Sequence, residues 1–119
     1  MGDDSAQSRR DELATMILNM CERRGLYIAA AESLTGGLLA DAFVRIPGAS
    51  HVFLGSAVTY DIAAKATILG VNAQLLADGG AVQAEVAAQM ALGTARLYTR
   101  PSKAGRVIGL STTGVAGPG

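Results

Sequence analysis

The 119-residue chain has few of the residue types that most site chemistries need. It has one cysteine, one histidine and two lysines; it has no tryptophan, and three Tyr and two Phe are its only aromatics. A lone cysteine, Cys21, makes no internal disulfide, and no CxxC or CxxH spacing offers a zinc site, so a reducing compartment is expected. No apolar run reaches the roughly 18 residues of a membrane span. The start, Met1 to Ser5, has no basic stretch followed by an apolar one, so no signal peptide is expected. Ten Lys+Arg balance ten Asp+Glu. A neutral chain exerts no long-range pull on phosphate backbones, which argues against nucleic-acid binding. The expectation is a cytoplasmic protein with no nucleic-acid or membrane partner.

What is present is small and apolar. Half the residues are hydrophobic and 15 are glycine, which suits one domain with its own core. Leu13, Met16, Ile17, Met20 and Cys21 recur at helical spacing and predict a helix with that stripe inward, stopped by Gly25. The polar residues 1–9 before it are expected to be disordered. Leu26 to Ala31 reads as a buried strand, and Leu38, Leu39, Ala42 and Phe43 resume a helical period that ends at Pro47-Gly48. His51 to Tyr60 is a second strand candidate, with Gly55 as a bulge. Asp61 can cap a short helix that Gly70 closes. A loose segment containing Leu75-Leu76 leads to Gly79-Gly80. Val82 to Tyr98 is a further helix and Arg106 to Leu110 a third strand, before the glycine-rich run Ser111 to Gly119. This alternation predicts an α/β domain with a largely parallel sheet covered on two faces. The last strand would leave an open edge, a liability. Either a C-terminal portion is missing after 119 or another chain covers that edge.

Few residues remain for chemistry. His51 reads as a solvated loop residue and Cys21 as an inert core thiol. The turn Glu32-Ser33-Leu34-Thr35-Gly36-Gly37 lies between a strand and a helix, where free N–H groups and the helix dipole suit an anion. Ser33 would stand at the carboxyl end of the strand, where α/β sheets bind ligands. The plainer alternative is a helix N-cap by Ser33 or Thr35. Lys65 sits among apolar residues, and a desolvated lysine loses its proton more easily. A neutral amine can activate a serine hydroxyl, and Ser–Lys is the one nucleophilic pair this composition offers. The plainer alternative is a surface Asp61–Lys65 pair. The loop with Thr113 and Gly114 would lie on the same sheet edge as Ser33 and bring backbone donors near a ligand.

At these residues the sequence resembles a known family. Ala31-Glu-Ser-Leu-Thr-Gly-Gly-Leu38, Ile46-Pro-Gly-Ala-Ser50, Val58-Thr-Tyr60, Ala64-Lys65, Leu69-Gly-Val71 and Thr113-Gly-Val-Ala-Gly-Pro118 occur in the order of the CinA C-terminal-domain family, which contains nicotinamide-nucleotide amidases. The resemblance runs from about Leu13 to Gly119. It implies a three-layer α/β/α fold with a mixed sheet, and hydrolysis of nicotinamide mononucleotide to nicotinate mononucleotide and ammonia. It implies Ser33 as nucleophile, Lys65 as base and Tyr60 lining the site. Thr35, Gly36, Gly37, Thr113 and Gly114 would hold the substrate. No metal or organic cofactor is implied, and a homo-oligomer, a dimer, is expected. Where the family commonly reads Ser-Asn-Glu-Ala-Lys, this chain has Asp61-Ile-Ala-Ala-Lys65, which adds a carboxylate one turn from the lysine. If Asp61 pairs with Lys65 it opposes the base role, whereas if it caps its helix the conflict disappears. The alternative reading is a catalytically silent nucleotide- or protein-binding domain that kept the phosphate cradle and lost the amidase chemistry around residues 61–63. The family also continues past Gly119, and the nucleotide-hydrolysing domain of longer relatives is absent from residues 1–119.

Overall fold

The computed structural model describes residues 2–115. Helix α1 (Gly2–Arg24) leads into the central strand β1 (Tyr27–Glu32). Then come α2 (Leu38–Val44), β2 (Phe53–Val58), α3 (Ile62–Leu69), α4 (Ala73–Gly79), α5 (Ala84–Tyr98) and β3 (Val107–Ser111). The strands pair in the order β2-β1-β3, and both pairings are parallel. An antiparallel strand, which a mixed sheet would contain, is not among the described residues. The last four residues of the glycine-rich run, 116–119, lie outside them.

The sheet is buried on both faces, so its centre is apolar throughout rather than alternating. Ala29, Ala30 and Ala31 have no exposed surface. On one face Ala14, Leu18 and Cys21 of α1 and Phe43 of α2 pack against Ile28 and Ala30. On the other, Leu69, Leu76, Val86 and Met90 from α3, α4 and α5 pack against Ala31. This is a three-layer α/β/α arrangement. Small residues let the layers meet by backbone. A Cβ on Gly93 of α5 would stand 2.0 Å from the Leu69 carbonyl oxygen, and one on Gly109 of β3 would stand 1.9 Å from that of Ala91.

Three expectations need correction. The residues 1–9 expected to be disordered are helical from Gly2, and Gln7 spans one turn of that helix, donating to Asp11 and accepting from Arg10 at 2.8 Å each. The buried face of α1 is Ala14, Leu18 and Cys21, while Leu13, Met16, Ile17 and Met20 are exposed, Met16 by 61%. The loose segment around Leu75-Leu76 is helix α4, capped by Asn72, whose side chain accepts the Leu75 N–H at 2.9 Å. The bulge at Gly55 is present: Ile28 pairs with Phe53 but Ala29 with Gly55, so one residue of β2 is skipped. His51 is exposed and Cys21 buried, as expected.

Candidate active site

The period-two alternation of β1 sets out the site. Ile28 and Ala30 face α1 and α2, whereas Ala31 faces α3 to α5. Carried on past the strand, that alternation turns Glu32 toward α2 and Ser33 toward α3. The loop after β1 leads to α2 on one face, and the loop after β2 leads to α3 on the other. Adjacent parallel strands whose loops diverge in this way open a crevice at their carboxyl ends, where α/β proteins bind ligands.

Lys65 reaches into this crevice from the first turn of α3. It is fully buried and its Nζ lies 3.0 Å from Ser33 Oγ. Nζ also donates to the carbonyl oxygens of Thr59 and Tyr60, the latter at 3.2 Å. Two carbonyls thus take two N–H bonds, and the third position on nitrogen faces Ser33. An ammonium donates its third proton there; a neutral amine accepts the Ser33 O–H with its lone pair. Burial pushes the Lys65 pKa down, and the Asp61 charge offsets only part of that shift. Among the described residues Arg45 pairs with Asp11 and His51 Nδ1 lies 3.6 Å from Glu22, and no salt bridge joins Asp61 to Lys65. Asp61 instead caps α3, accepting the Ala64 N–H at 3.2 Å. The surface pair weighed for Lys65 is therefore not formed.

The anion cradle read from the turn is already filled. Glu32 is fully buried, and its two oxygens accept the N–H groups of Gly37 at 3.1 Å, Leu39 at 2.8 Å and Ala40 at 3.0 Å. The hydroxyls of Thr35 and Ser56 donate to it as well, at 2.8 and 2.7 Å. Burial pushes this carboxyl up, but the hydrogen bonds from Ser56, Thr35, Leu39 and Ala40 outweigh it and hold the pKa below the usual carboxylate range. The start of α2 has its negative charge from within the chain, because Gly37 at the N-cap brings no side chain to serve it.

The other candidates sit as follows. Tyr60 contributes its carbonyl to Lys65, and the residue is 69% exposed. The N–H of Gly36 is taken by the Ser33 carbonyl, and both Gly36 and Gly37 have positive φ with open space where a side chain would be. Thr113 donates to the Ala81 carbonyl at 2.9 Å, and a Cβ on Gly114 would stand 3.3 Å from Leu34. Its neighbour Thr112, the first residue of the loop read onto this sheet edge but given no role of its own, is closer to the chemistry. Its Oγ1 lies 2.8 Å from Thr35 Oγ1 and accepts the Ser33 N–H at 3.4 Å. Glu32 was legible in principle: a buried strand ending in a carboxylate before an uncapped helix has nearby donors to find. Thr112 was not, because its partner lies 77 residues away.

A parallel α/β/α domain with a Ser–Lys pair buried at the carboxyl end of its central strand is the class of protein that fold and site define. Residues 10–119 match the CinA C-terminal domain, and the chain belongs to that family. It is 44% identical over 119 residues to a Clostridium botulinum protein provisionally named competence-damage inducible, covering all of this chain and 28% of that one. It is 45% identical over 108 residues to a CinA-like protein of Frankia casuarinae, covering 91% of this chain and 24% of that one. The crystal structure of competence/damage inducible protein CihA from Agrobacterium tumefaciens superposes with a TM-score of 0.71 at 41% identity, over 73% of this chain and 53% of that one. The chain thus spans about a quarter of the length of the curated relatives it matches. No helix among the described residues is long and apolar enough to cross a membrane.

Proposed function

We propose that the protein is an amidohydrolase that converts nicotinamide mononucleotide to nicotinate mononucleotide and ammonia, with Ser33 as nucleophile and Lys65 as base. The observation that carries this reading is a fully buried amine, without a carboxylate partner among the described residues, 3.0 Å from a serine hydroxyl. A neutral Lys65 takes the Ser33 proton as Oγ attacks the carboxamide carbon. The tetrahedral oxyanion then collapses, the C–N bond breaks, and Lys65 returns the proton to the departing ammonia. Water attacks the resulting ester and gives its proton to Lys65; the second tetrahedral oxyanion collapses, the C–Oγ bond breaks, Lys65 returns the proton to Ser33 Oγ, and the acid leaves as its carboxylate. The N–H groups of Leu34 and Thr35 directly follow the nucleophile, and the described residues supply no acceptor for them. They are the donors suited to the oxyanion.

Glu32 fills the start of α2, so the substrate phosphate must be held elsewhere. Gly36 and Gly37, their N–H groups taken, then contribute shape to the approach, Thr113 and Gly114 line it from the loop after β3, Thr35 offers its main-chain N–H, and the exposed Tyr60 ring can cover a bound pyridine. The alternative is a catalytically silent binding domain that lost the amidase chemistry around residues 61–63; the Asp61 carboxylate, occupied as a helix cap, weakens one of its grounds. The exposed stripe of Leu13, Met16, Ile17 and Met20 on α1 supports a homo-oligomer, a dimer.

The full-length protein should release ammonia from nicotinamide mononucleotide and leave nicotinate mononucleotide, while Ser33→Ala should give no release above background. Activity retained by Ser33→Ala would remove the mechanism. A base on Lys65 also fixes a pH dependence, since kcat/KM should rise with pH through the lowered amine pKa. Asp61→Asn keeps a capping oxygen and removes the charge that offsets part of the shift. Its rate profile should therefore move to lower pH than the wild type's, and a profile that stays or moves up would show that the charge is not felt.

A further inference from the structure

The start of α2 is served by an anion with no route to solvent. Five donors converge on the two oxygens of Glu32: three main-chain N–H groups and two hydroxyls. Three of these are main-chain N–H groups, which cannot accept, and against the ionised carboxylate they hold both hydroxyls donate as well. That fixes the direction of every bond beyond it. Thr35 lies 2.8 Å from Glu32 Oε1, so its proton points at the carboxylate. The Thr35 oxygen can then only accept from Thr112, also 2.8 Å away. Thr112, its proton committed, turns a lone pair to the Ser33 N–H. The Thr112 N–H is itself fixed on the Ala31 carbonyl at 2.9 Å, tying the loop after β3 to β1.

We propose that Glu32 is the positioning residue of the nucleophile loop and that it sets the orientation of the Ser33 backbone through the ordered hydroxyls of Thr35 and Thr112. The inference rests on the reading of Ser33 as nucleophile. One buried charge orders three groups across the β1–β3 seam, the Thr35 and Thr112 hydroxyls and the Ser33 N–H, and Ser33 is held between that chain and the start of α2. Its Oγ then stays in line with the Lys65 lone pair instead of sampling other directions. Glu32 has no exposed surface and does not meet substrate; it acts through Ser33.

Reaction of Ser33 with an alkyl fluorophosphonate, followed by the mass of the Ser33 peptide, tests this without any nucleotide. Oγ displaces fluoride at phosphorus, and the hydroxyl proton passes to Lys65. In the full-length protein T112V and E32Q should label about ten- to a hundredfold more slowly than wild type. T112S should restore the wild-type rate, and Ser111→Ala, which removes only a bond to α5, should leave it unchanged. T35V against T35S repeats the contrast one link nearer the carboxylate, should T112V fail to fold. Wild-type labelling with T112V and E32Q equally fast overturns the inference alone. A wild-type Ser33 that does not label at all removes the nucleophile reading and the inference with it.

Discussion

Replacing Lys65 by methionine should cut amide hydrolysis by about 10²- to 10⁴-fold, the usual contribution of a positioned general base, and should leave the domain folded. The two effects part because the lysine is not a stabilising residue. Its charged form is buried with carbonyl oxygens and a hydroxyl as its only partners, and burial is the larger influence on its pKa. A buried charge replaced by an apolar chain of similar volume is often neutral or stabilising. The carbonyls of Thr59 and Tyr60 lose a donor in the variant, which limits the gain. Lys65→Arg should be equally inactive, because a guanidinium has no lone pair to offer at working pH. The linkage has a sign that can be measured. With the folded pKa below the unfolded one, the stability cost of charged Lys65 is fully present below the folded pKa. It is relieved as pH rises from there to the ordinary lysine value. Thermal unfolding of the wild type should therefore gain stability across that alkaline window relative to Lys65→Met. Ammonia release within tenfold of wild type, or a variant whose stability shows the same alkaline gain, would exclude this role for the amine.

Much of the frame was legible because it depends on local rules. Gly25 after a helical run, the all-apolar β1, the skipped residue at Gly55 and the cap at Asp61 each follow from a few neighbouring residues. The pairing of Ser33 with Lys65 was legible in part: with His51 on a loop and Cys21 in the core, Ser–Lys was the one nucleophilic pair on offer, but a helix cap at Ser33 and a surface Asp61–Lys65 pair stayed open, and the roles came from the family resemblance. What failed was anything decided by long-range packing. The apolar residues of α1 predicted a helix correctly but not which side faces inward: Ala14 and Leu18 are buried and Met16 is 61% exposed. The glycine turn predicted an anion at α2 without saying whose it is. A ligand phosphate and the chain's own Glu32 satisfy the same N–H groups, and only the alternation of β1 in three dimensions shows that the carboxylate already reaches them.

Glu32→Ala should be the most destabilising single substitution at the site, by about 3–5 kcal/mol, which lowers Tm on the order of 20 °C in a domain of this size. The hydroxyls of Thr35 and Ser56 can turn to other acceptors. The N–H groups of Gly37, Leu39 and Ala40 cannot, and each buried donor left without a partner costs roughly 1–3 kcal/mol. Glu32→Gln keeps one acceptor oxygen and should lose less, about 1–3 kcal/mol. The difference between wild type and Glu32→Gln must itself depend on pH. The carboxyl is held below its ordinary range, so its contribution is fully present above the unfolded carboxylate pKa and is lost as pH falls through the lowered folded value. Melting curves of the two proteins should be well separated near neutrality and converge on acidification. If the separation stays constant into the acid range, the group is not an ionised acceptor in the folded protein, and the ordered chain from Glu32 to Ser33 loses its origin.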